Sequence, residues 1–186
     1  MPRQFLALLL PIALAAGSVL ANEPQVRSLS EIEAALDPLE FAADYDGVRV
    51  SIDLTIHFDF DSAVIRPEST AQLDALGNAL SGDRLADYRF KLIGHTDGIG
   101  GADYNLRLSK MRAEAVRTRL VEAYGVAPER LIAEGRGYSQ PKRGLPPDAD
   151  AHRRVEVQRL HSQDADEQRE APMDSDDDLG GIRRED

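Results

Sequence analysis

The sequence contains no cysteine and no tryptophan, and aromatic residues make up 5% of it. Without cysteine the chain can form neither a disulfide nor a thiolate metal site, and its redox compartment cannot be inferred from cysteine usage. Hydrophobic residues make up 42% of the 186 positions, which is enough for one domain of ordinary size with extensions. The composition therefore predicts a single domain without covalent cross-links.

Long apolar runs are also scarce, and the one that exists lies within the first 21 residues. An early arginine precedes the apolar run Phe5–Ala21, and Val19 and Ala21 stand at the −3 and −1 positions of a small-residue cleavage site. The run contains Pro11 and is shorter than the about 20 apolar residues that a membrane-spanning helix needs. Residues 1–21 are therefore predicted to be a cleaved secretory signal peptide, with an uncleaved anchor as the alternative. The product is expected to be soluble and exported.

Basic residues are outnumbered, with 22 Lys and Arg against 33 Asp and Glu and a net charge of −11. Residues 162–186 hold ten acidic and three basic side chains, so this tail carries −7 of the net charge. It also lacks aromatic residues and apolar periodicity, and residues 161–186 are therefore expected to be disordered. A nucleic-acid backbone requires clustered Lys and Arg, so we expect no nucleic-acid partner.

Between these ends the hydrophobic pattern alternates between strand and helix periods. Residues 22–44 are interpreted as a lead-in that contains a short helix, capped by Ser30 and ending before Pro38. Strands are predicted over 48–60, 88–95, 131–137 and 152–160, and helices over 67–82 and 102–125. The order predicts an α+β fold, a β-α-β-α-β-β sandwich in which two main helices pack on one face of a small mixed sheet. The domain is expected to span residues 45–160.

The segment LIGHTDGIGGADYNLRLSKMRAEAV, residues 92–116, joins a predicted strand to a predicted helix through a glycine-rich turn. Such turns often bind phosphate, but the glycine spacing here fits neither the dinucleotide fingerprint nor the P-loop. The turn contains no Lys or Arg, whereas Asp97 and Asp103 would repel a phosphate. Nucleotide binding is therefore disfavoured.

The same turn raises the question of metal or nucleophilic catalysis, because His95 stands two residues before Asp97. The other three histidines lie in or beside different predicted strands, and a catalytic metal needs a third ligand and a positioned base. A histidine at a strand end is more often a hydrogen-bonded structural residue. The chain also contains no nucleophile-elbow sequence. We therefore expect no enzymatic activity, no catalytic residue, no metal and no cofactor.

The helix after the turn carries an arginine on its apolar side. On a helical wheel of about 100° per residue, Arg112 falls between Leu108 and Val116, and Asn105 lies on the same stripe. A cation aimed at a core needs a partner, since burying it alone is costly. The residues alone leave two interpretations of Arg112 open: an internal ion pair that stabilises the domain, or a cation that binds a ligand.

The direction of helical side chains favours the ligand interpretation. They lean toward the helix N-terminus, so the Arg112 guanidinium is expected to point back toward the turn, where Asp97 borders the same mouth. One carboxylate and one guanidinium across a small cleft match a zwitterionic amino-acid headgroup. Its ammonium would meet Asp97, and its carboxylate would accept two hydrogen bonds from Arg112.

Four blocks of sequence resemble one family in their order and spacing. They are FDFDSAVIRPE (58–68), LIGHTDGIGGADYNLRLSKMRAEAV (92–116), RLIAEGRGYSQP (130–141) and HRRVEV (152–157). Together they look like the C-terminal peptidoglycan-binding domain of outer membrane protein A, which the peptidoglycan-associated lipoprotein and the flagellar stator protein MotB share. The resemblance covers about Arg49 to Leu160. It implies noncovalent binding of the diaminopimelate in the stem peptide of peptidoglycan.

The resemblance also implies which residues form the pocket. The family's ammonium-binding acid falls on Asp97 and its carboxylate-binding arginine on Arg112, the pair proposed above. Thr96 and Asn105 fall on positions that line the pocket. Asp61 falls where the end of the first strand borders the cleft, and a cap for the following loop is an equally supported role for it.

The segment before the last strand combines a match with a departure. Arg153 matches the first arginine of the family's N-R-R segment, which closes the far side of the pocket. The asparagine that usually precedes the two arginines is His152 here. This change is expected to remove one pocket hydrogen bond or to make it pH-sensitive.

We therefore expect a periplasmic, wall-associated protein that tethers to the cell wall by binding peptidoglycan. Outer-membrane association is a further candidate for its location, and other envelope proteins are further candidate partners. No membrane span is expected in the mature chain. Two alternatives of other classes are a scaffolding protein whose acidic tail recruits a partner, and an enzyme acting on wall peptides. The enzyme is disfavoured because no credible nucleophile or metal set is present.

Overall fold

Three α-helices and four strands make up most of the computed structural model, which describes residues 26–37 and 50–160. The helices are α1 (Leu29–Leu36), α2 (Thr70–Ser81) and α3 (Ala102–Tyr124). The strands are β1 (Ser51–Leu54), β2 (Arg89–His95), β3 (Leu131–Gly137) and β4 (Val155–Leu160). A single turn of 3-10 helix precedes α2, β2, β3 and β4.

The four strands form one mixed sheet in the order β1-β4-β2-β3. β2 and β3 are parallel and are joined by α3, whereas β4 lies antiparallel between β1 and β2. Leu92 of β2 and Val157 of β4 are register partners, and both lie in one core with Leu76 of α2 and Val116 of α3. The predicted α+β class, with helices packed on one face of a small mixed sheet, is confirmed.

Two strands are shorter than the period-two pattern predicts. β1 ends at Leu54, whose register partner Val155 is the first residue of β4. Beyond this pair, residues 57–66 bond among themselves, and the Asp59 amide donates to the Val64 carbonyl at 2.9 Å. The longer strands predicted over 48–60 and 152–160 are therefore wrong at the ends that face each other. Beyond these ends the backbone makes only isolated pairings, such as the bridge between Phe58 and Ile65 and the hydrogen bond from the His95 amide to the Arg154 carbonyl.

The first helix begins two residues earlier than the sequence predicts. Its N-cap is Ser28, and the predicted cap Ser30 lies inside the helix. The Ser28 hydroxyl accepts from the Glu31 amide at 3.3 Å, and the Glu31 carboxylate accepts from the Ser28 amide at 2.8 Å. This reciprocal capping box satisfies donors that the first turn of a helix leaves free.

The same helix belongs to the domain core. Ile32 and Leu36 are fully buried and pack in the cluster that the sheet and the two longer helices share. At the helix end, the Asp37 carboxylate forms ion pairs with Arg159 of β4 at 3.2 Å and with Arg84 at 3.3 Å. The short helix expected within the lead-in is therefore present and packs into the same core as the sheet.

The position of the buried face of α3 differs from the wheel. Its buried side chains are those of Asn105, Ser109, Ala113, Val116 and Leu120. Asn105 and Val116 were expected on this face, but Arg112 is half-buried and lies at its edge. The apolar stripe predicted to contain Arg112 is therefore rotated by about 60° on the wheel, because the sheet contacts the helix along the line from Asn105 to Leu120.

The predicted signal peptide, residues 1–21, and the acidic tail, residues 161–186, lie outside the described residues. Within residues 26–37 and 50–160, no helix combines the length and the apolar character that crossing a membrane requires.

Candidate ligand-binding site

A pocket of about 960 Å³ opens where the turn after β2 meets the start of α3. The loop after β1 forms one wall, and the 3-10 turn before β4 forms another. The structure places all six side chains singled out from the sequence on the wall of this pocket: Asp61, Thr96, Asp97, Asn105, Arg112 and Arg153.

Asp97 lies in the turn directly after β2, and its side chain is 18% exposed. One carboxylate oxygen, Oδ1, accepts from the Ile99 amide at 3.2 Å, which holds the turn in shape. The other oxygen, Oδ2, accepts from Nη1 of Arg153 at 2.7 Å. The carboxylate is thus fixed in orientation by its own turn and is paired with the guanidinium of Arg153, which lies just before β4.

Arg112 reaches the same pocket from the third turn of α3. Its Nε donates to the Ser62 carbonyl at 3.0 Å, and its guanidinium lies 5.1 Å from the centre of the Phe58 ring. Among the ion pairs of the described residues, none joins Arg112 to Asp97. The two groups therefore lie on the wall of one pocket and do not form an ion pair with each other.

Electrostatics around Arg112 reflect this half-buried position. Burial lowers the pKa of Arg112 below its usual value, and repulsion from the Arg153 guanidinium lowers it further. Attraction to the carboxylates of Asp97 and Asp61 acts in the opposite direction. Since a guanidinium still keeps its proton at neutral pH, Arg112 is a partly desolvated cation with donors available for an anion.

The structure of the loop after β1 decides between the two roles considered for Asp61, a cap for the loop and a residue that borders the pocket. Asp61 is exposed and has a φ of 54°, a left-handed conformation that aspartate tolerates better than most residues. The loop cap belongs to its neighbour, because the Ser62 hydroxyl accepts from the Val64 amide at 2.9 Å. Asp61 therefore contributes a carboxylate to the pocket rim.

Asn105 and Thr96 form the buried part of the pocket wall. The side-chain Nδ2 of Asn105 donates to the Ile99 carbonyl at 2.9 Å and to the Asp97 carbonyl at 3.4 Å, so it holds the turn against α3. The Thr96 amide donates to the Gly137 carbonyl at 2.9 Å. The Thr96 hydroxyl is buried and has no hydrogen-bond partner among the described residues. A buried hydroxyl without a partner is unfavourable, and a bound ligand could supply one.

Apolar side chains at the pocket mouth were not singled out from the sequence. Phe60 is 100% exposed and Ile99 63% exposed, and Tyr104 is also exposed on the first turn of α3. The sequence offered two signals for these apolar side chains: the phenylalanine between two acids in FDFD and the isoleucine within the glycine-rich turn. The mouth of the pocket therefore carries exposed apolar side chains beside the Asp61 carboxylate.

His95, the last residue of β2, contacts a carboxylate of the neighbouring strand and not the pocket wall. His95 is 2% exposed, and its Nε2 lies 3.1 Å from the Glu156 carboxylate on the neighbouring strand. The hydrogen bond from His95 lowers the pKa of Glu156 below its usual value, although burial opposes this shift. In the part of the chain that the structure describes, no group of three or more His, Asp or Glu side chains is placed to hold a metal ion.

His152 does not line the pocket and instead fastens the loop beside it. Its Nδ1 accepts from the Lys142 amide at 3.1 Å, and its Nε2 lies 2.9 Å from the Pro146 carbonyl, which can only accept. The ring therefore carries its proton on Nε2. The next residue of that loop, Pro147, accepts from the Gly98 amide at 2.7 Å, so the fastened loop supports the turn that contains Asp97.

Replacing His152 tests this role. An asparagine offers the same pair of functions, one acceptor and one donor, so His152→Asn should cost less than about 1 kcal/mol of unfolding free energy. His152→Leu leaves both backbone groups without a partner and should cost about 1–2 kcal/mol. Urea unfolding measures both values, and hydrogen exchange at the Lys142 amide should accelerate in the leucine variant alone. Equal effects of the two substitutions would contradict the assigned hydrogen bonds.

Comparison with known proteins places these features in a family. A model of the OmpA family matches residues 57–154. Outer membrane porin F of Pseudomonas fluorescens is 40% identical over 95 residues, which are 50% of this chain and 27% of the porin. Outer membrane protein A of Bordetella avium is 34% identical over 94 residues, which are 50% of this chain and 46% of that protein. The chain thus spans less than half the length of either relative.

Solved structures show the same fold. The OmpA-like domain of FopA1 from Francisella tularensis superposes with a TM-score of 0.51 at 24% identity, covering 61% of this chain and 74% of that one. The periplasmic domain of Helicobacter pylori MotB superposes with a TM-score of 0.52 at 20% identity, covering 61% and 75%. At this identity the superpositions establish the fold alone. Because the family model matches more than half of the sequence, the chain belongs to the OmpA family.

Proposed function

We propose that this domain binds peptidoglycan noncovalently, through the free amino-acid end of diaminopimelate in the stem peptide. The observation that carries the proposal is the placement of Asp97 and Arg112 on the wall of one pocket without an ion pair between them. A ligand end that bears both an ammonium and a carboxylate complements the two groups at once.

The polar interior of the pocket supports this choice of ligand. Arg112 uses its Nε to bond Ser62, which leaves the two terminal amino groups of the guanidinium to grip a carboxylate. Thr96 adds a buried hydroxyl without a partner among the described residues. Ligand pockets typically combine such a small number of placed polar groups with apolar surroundings, which the exposed side chains at the mouth provide here.

The proposed location is the periplasm, where the domain would tether its chain to the wall without catalysing a reaction. The relatives described above are named as outer membrane proteins, which supports a place in the cell envelope. Because the wall polymer repeats the same peptide, even a modest affinity for one ligand end would hold the protein if it self-associates.

Sedimentation with purified sacculi tests the proposal. The full chain should pellet with sacculi whose stem peptides contain diaminopimelate. It should not pellet with sacculi in which lysine takes that position, because the lysine side chain ends in an amine without a carboxylate. Asp97→Asn should remain in the supernatant, whereas the matched control Asp103→Asn, an exposed acid in the first turn of α3, should pellet like wild type.

Two results would contradict the proposal. Equal pelleting with both types of sacculi would show that the ligand carboxylate is not recognised. Release of soluble wall fragments during the incubation would show a catalytic activity instead of binding alone. Deletion of residues 162–186 tests the scaffolding alternative, because a tail-deleted chain should still pellet if the pocket binds the wall.

A further inference from the structure

Arg153 occupies the carboxylate oxygen that the proposed ligand needs. Its Nη1 donates to Oδ2 of Asp97 at 2.7 Å, and the remaining oxygen of Asp97 already accepts from the Ile99 amide. Asp97 Oδ2 is here termed the ammonium seat. A carboxylate oxygen has more than one lone pair, but the Arg153 guanidinium takes one of them and repels a second cation, so an ammonium binds this oxygen fully only when Arg153 withdraws.

We propose that Arg153 is an internal competitor for the ammonium seat, and that it thereby sets how strongly the pocket discriminates ligands with an amine from ligands with a carboxylate alone. This inference rests on the proposed function, since it concerns the same pocket and the same ligand end.

The contacts of the two arginines give them different freedom to move. Arg112 is held by the Ser62 carbonyl and lies over the Phe58 ring. The Arg153 side chain is 41% exposed, and its second amino group bonds the carboxylate of Asp150, which is 90% exposed. Arg153 can therefore leave Asp97 and keep a charge partner in solvent, whereas Arg112 cannot leave without losing contacts to the domain.

The competition acts on one class of ligand only. A ligand with a carboxylate and no amine can bind Arg112 while Arg153 stays on Asp97. A zwitterionic ligand must share Asp97 with the Arg153 guanidinium or displace it, and the repulsion between the two cations weakens its ion pair with Asp97. Since the pair that it breaks is partly exposed, the competition should weaken binding severalfold and not abolish it.

Calorimetric titration of the full chain with two matched probes tests the inference. The probes are meso-diaminopimelate and pimelate, which have the same carbon chain and carboxylates and differ only in the two amines. Arg153→Gln should lower the Kd for diaminopimelate by about fivefold. It should leave the Kd for pimelate unchanged or raise it, because a cation near the bound carboxylate is lost.

Weaker diaminopimelate binding in Arg153→Gln, or an equal shift for both probes, would overturn the inference and identify Arg153 as a ligand contact.

The proposed function fails in a distinguishable way. If Asp97→Asn and Arg112→Gln bind diaminopimelate like wild type, the pocket assignment is wrong and the competition fails with it. If these two variants lose binding and Arg153→Gln loses it as well, the proposed function stands and only the competition is wrong.

Discussion

Replacing Arg112 with glutamine should reduce binding to diaminopimelate-containing sacculi to the background level. The guanidinium is half-buried, and its terminal amino groups supply the paired donors that the ligand carboxylate would accept. Removing one partner of a desolvated, hydrogen-bonded charge pair typically costs 2–5 kcal/mol, which corresponds to a Kd raised about 30-fold or more. The fraction pelleted at a fixed sacculus concentration measures the loss.

Two further variants separate charge from geometry in this prediction. Arg112→Lys keeps the positive charge but not the planar fork, so its binding should fall between that of wild type and that of the glutamine variant. Arg107→Gln removes an exposed cation from the same helix outside the pocket wall, and it should pellet like wild type. Loss of binding in Arg107→Gln would mean that the net charge of α3, and not the pocket, governs adsorption to the wall.

Replacing Gly94 with alanine should destabilise the domain by about 3 kcal/mol, the largest expected effect on its stability. A Cβ at this position of β2 would lie 2.1 Å from the Ser109 carbonyl oxygen of α3, and this neighbour is backbone and cannot rotate away. The strand and the helix must therefore separate. Thermal and urea unfolding measure the cost.

The same substitution should weaken ligand binding through geometry. Asp97 follows β2 by two residues, and Arg112 lies one turn beyond Ser109 on α3, so a wider gap between strand and helix moves the two charges apart. A carboxylate and an ammonium that are fixed within one small ligand end cannot follow that movement. Sacculus binding should therefore fall even at temperatures at which the variant is folded.

Gly101 offers the matched control for this prediction. It is the N-cap of α3 with a φ of −77°, and a Cβ there would meet nothing within 4 Å. Gly101→Ser introduces a preferred N-cap residue, so the unfolding free energy should stay the same or rise by a few tenths of a kcal/mol. Equal destabilisation by the two substitutions would contradict the close approach of α3 to the sheet.

The extent of α3 and β3 could be predicted from the sequence because local signals agree there. The apolar periodicity of the helix ends at Gly125, which takes a φ of 68° that glycine adopts easily. The site could be predicted in part for a similar reason. A glycine-rich turn between a strand and a helix brings Asp97 and Arg112 near each other by chain connectivity alone, and the structure places both on one pocket wall.

Other features depend on contacts between distant segments. The end of β1 is set by where β4 stops pairing with it, and the buried face of α3 is set by the close approach of its backbone to Gly94. The role of His152 follows from carbonyl and amide groups six and ten residues away in a loop without periodicity. Patterns of apolar spacing contain no information on these contacts.

The sequence by itself determined the fold class, the order of the elements and the pair of opposite charges beside the turn, because periodicity, turn residues and connectivity are local properties. Only the tertiary structure decided which groups the two charges of that pair contact. Arg153 is separated from Asp97 by 56 positions, and it reaches the carboxylate because the β4 strand lies next to β2 in the sheet. Side-chain partners at such separations are set by packing of the whole domain.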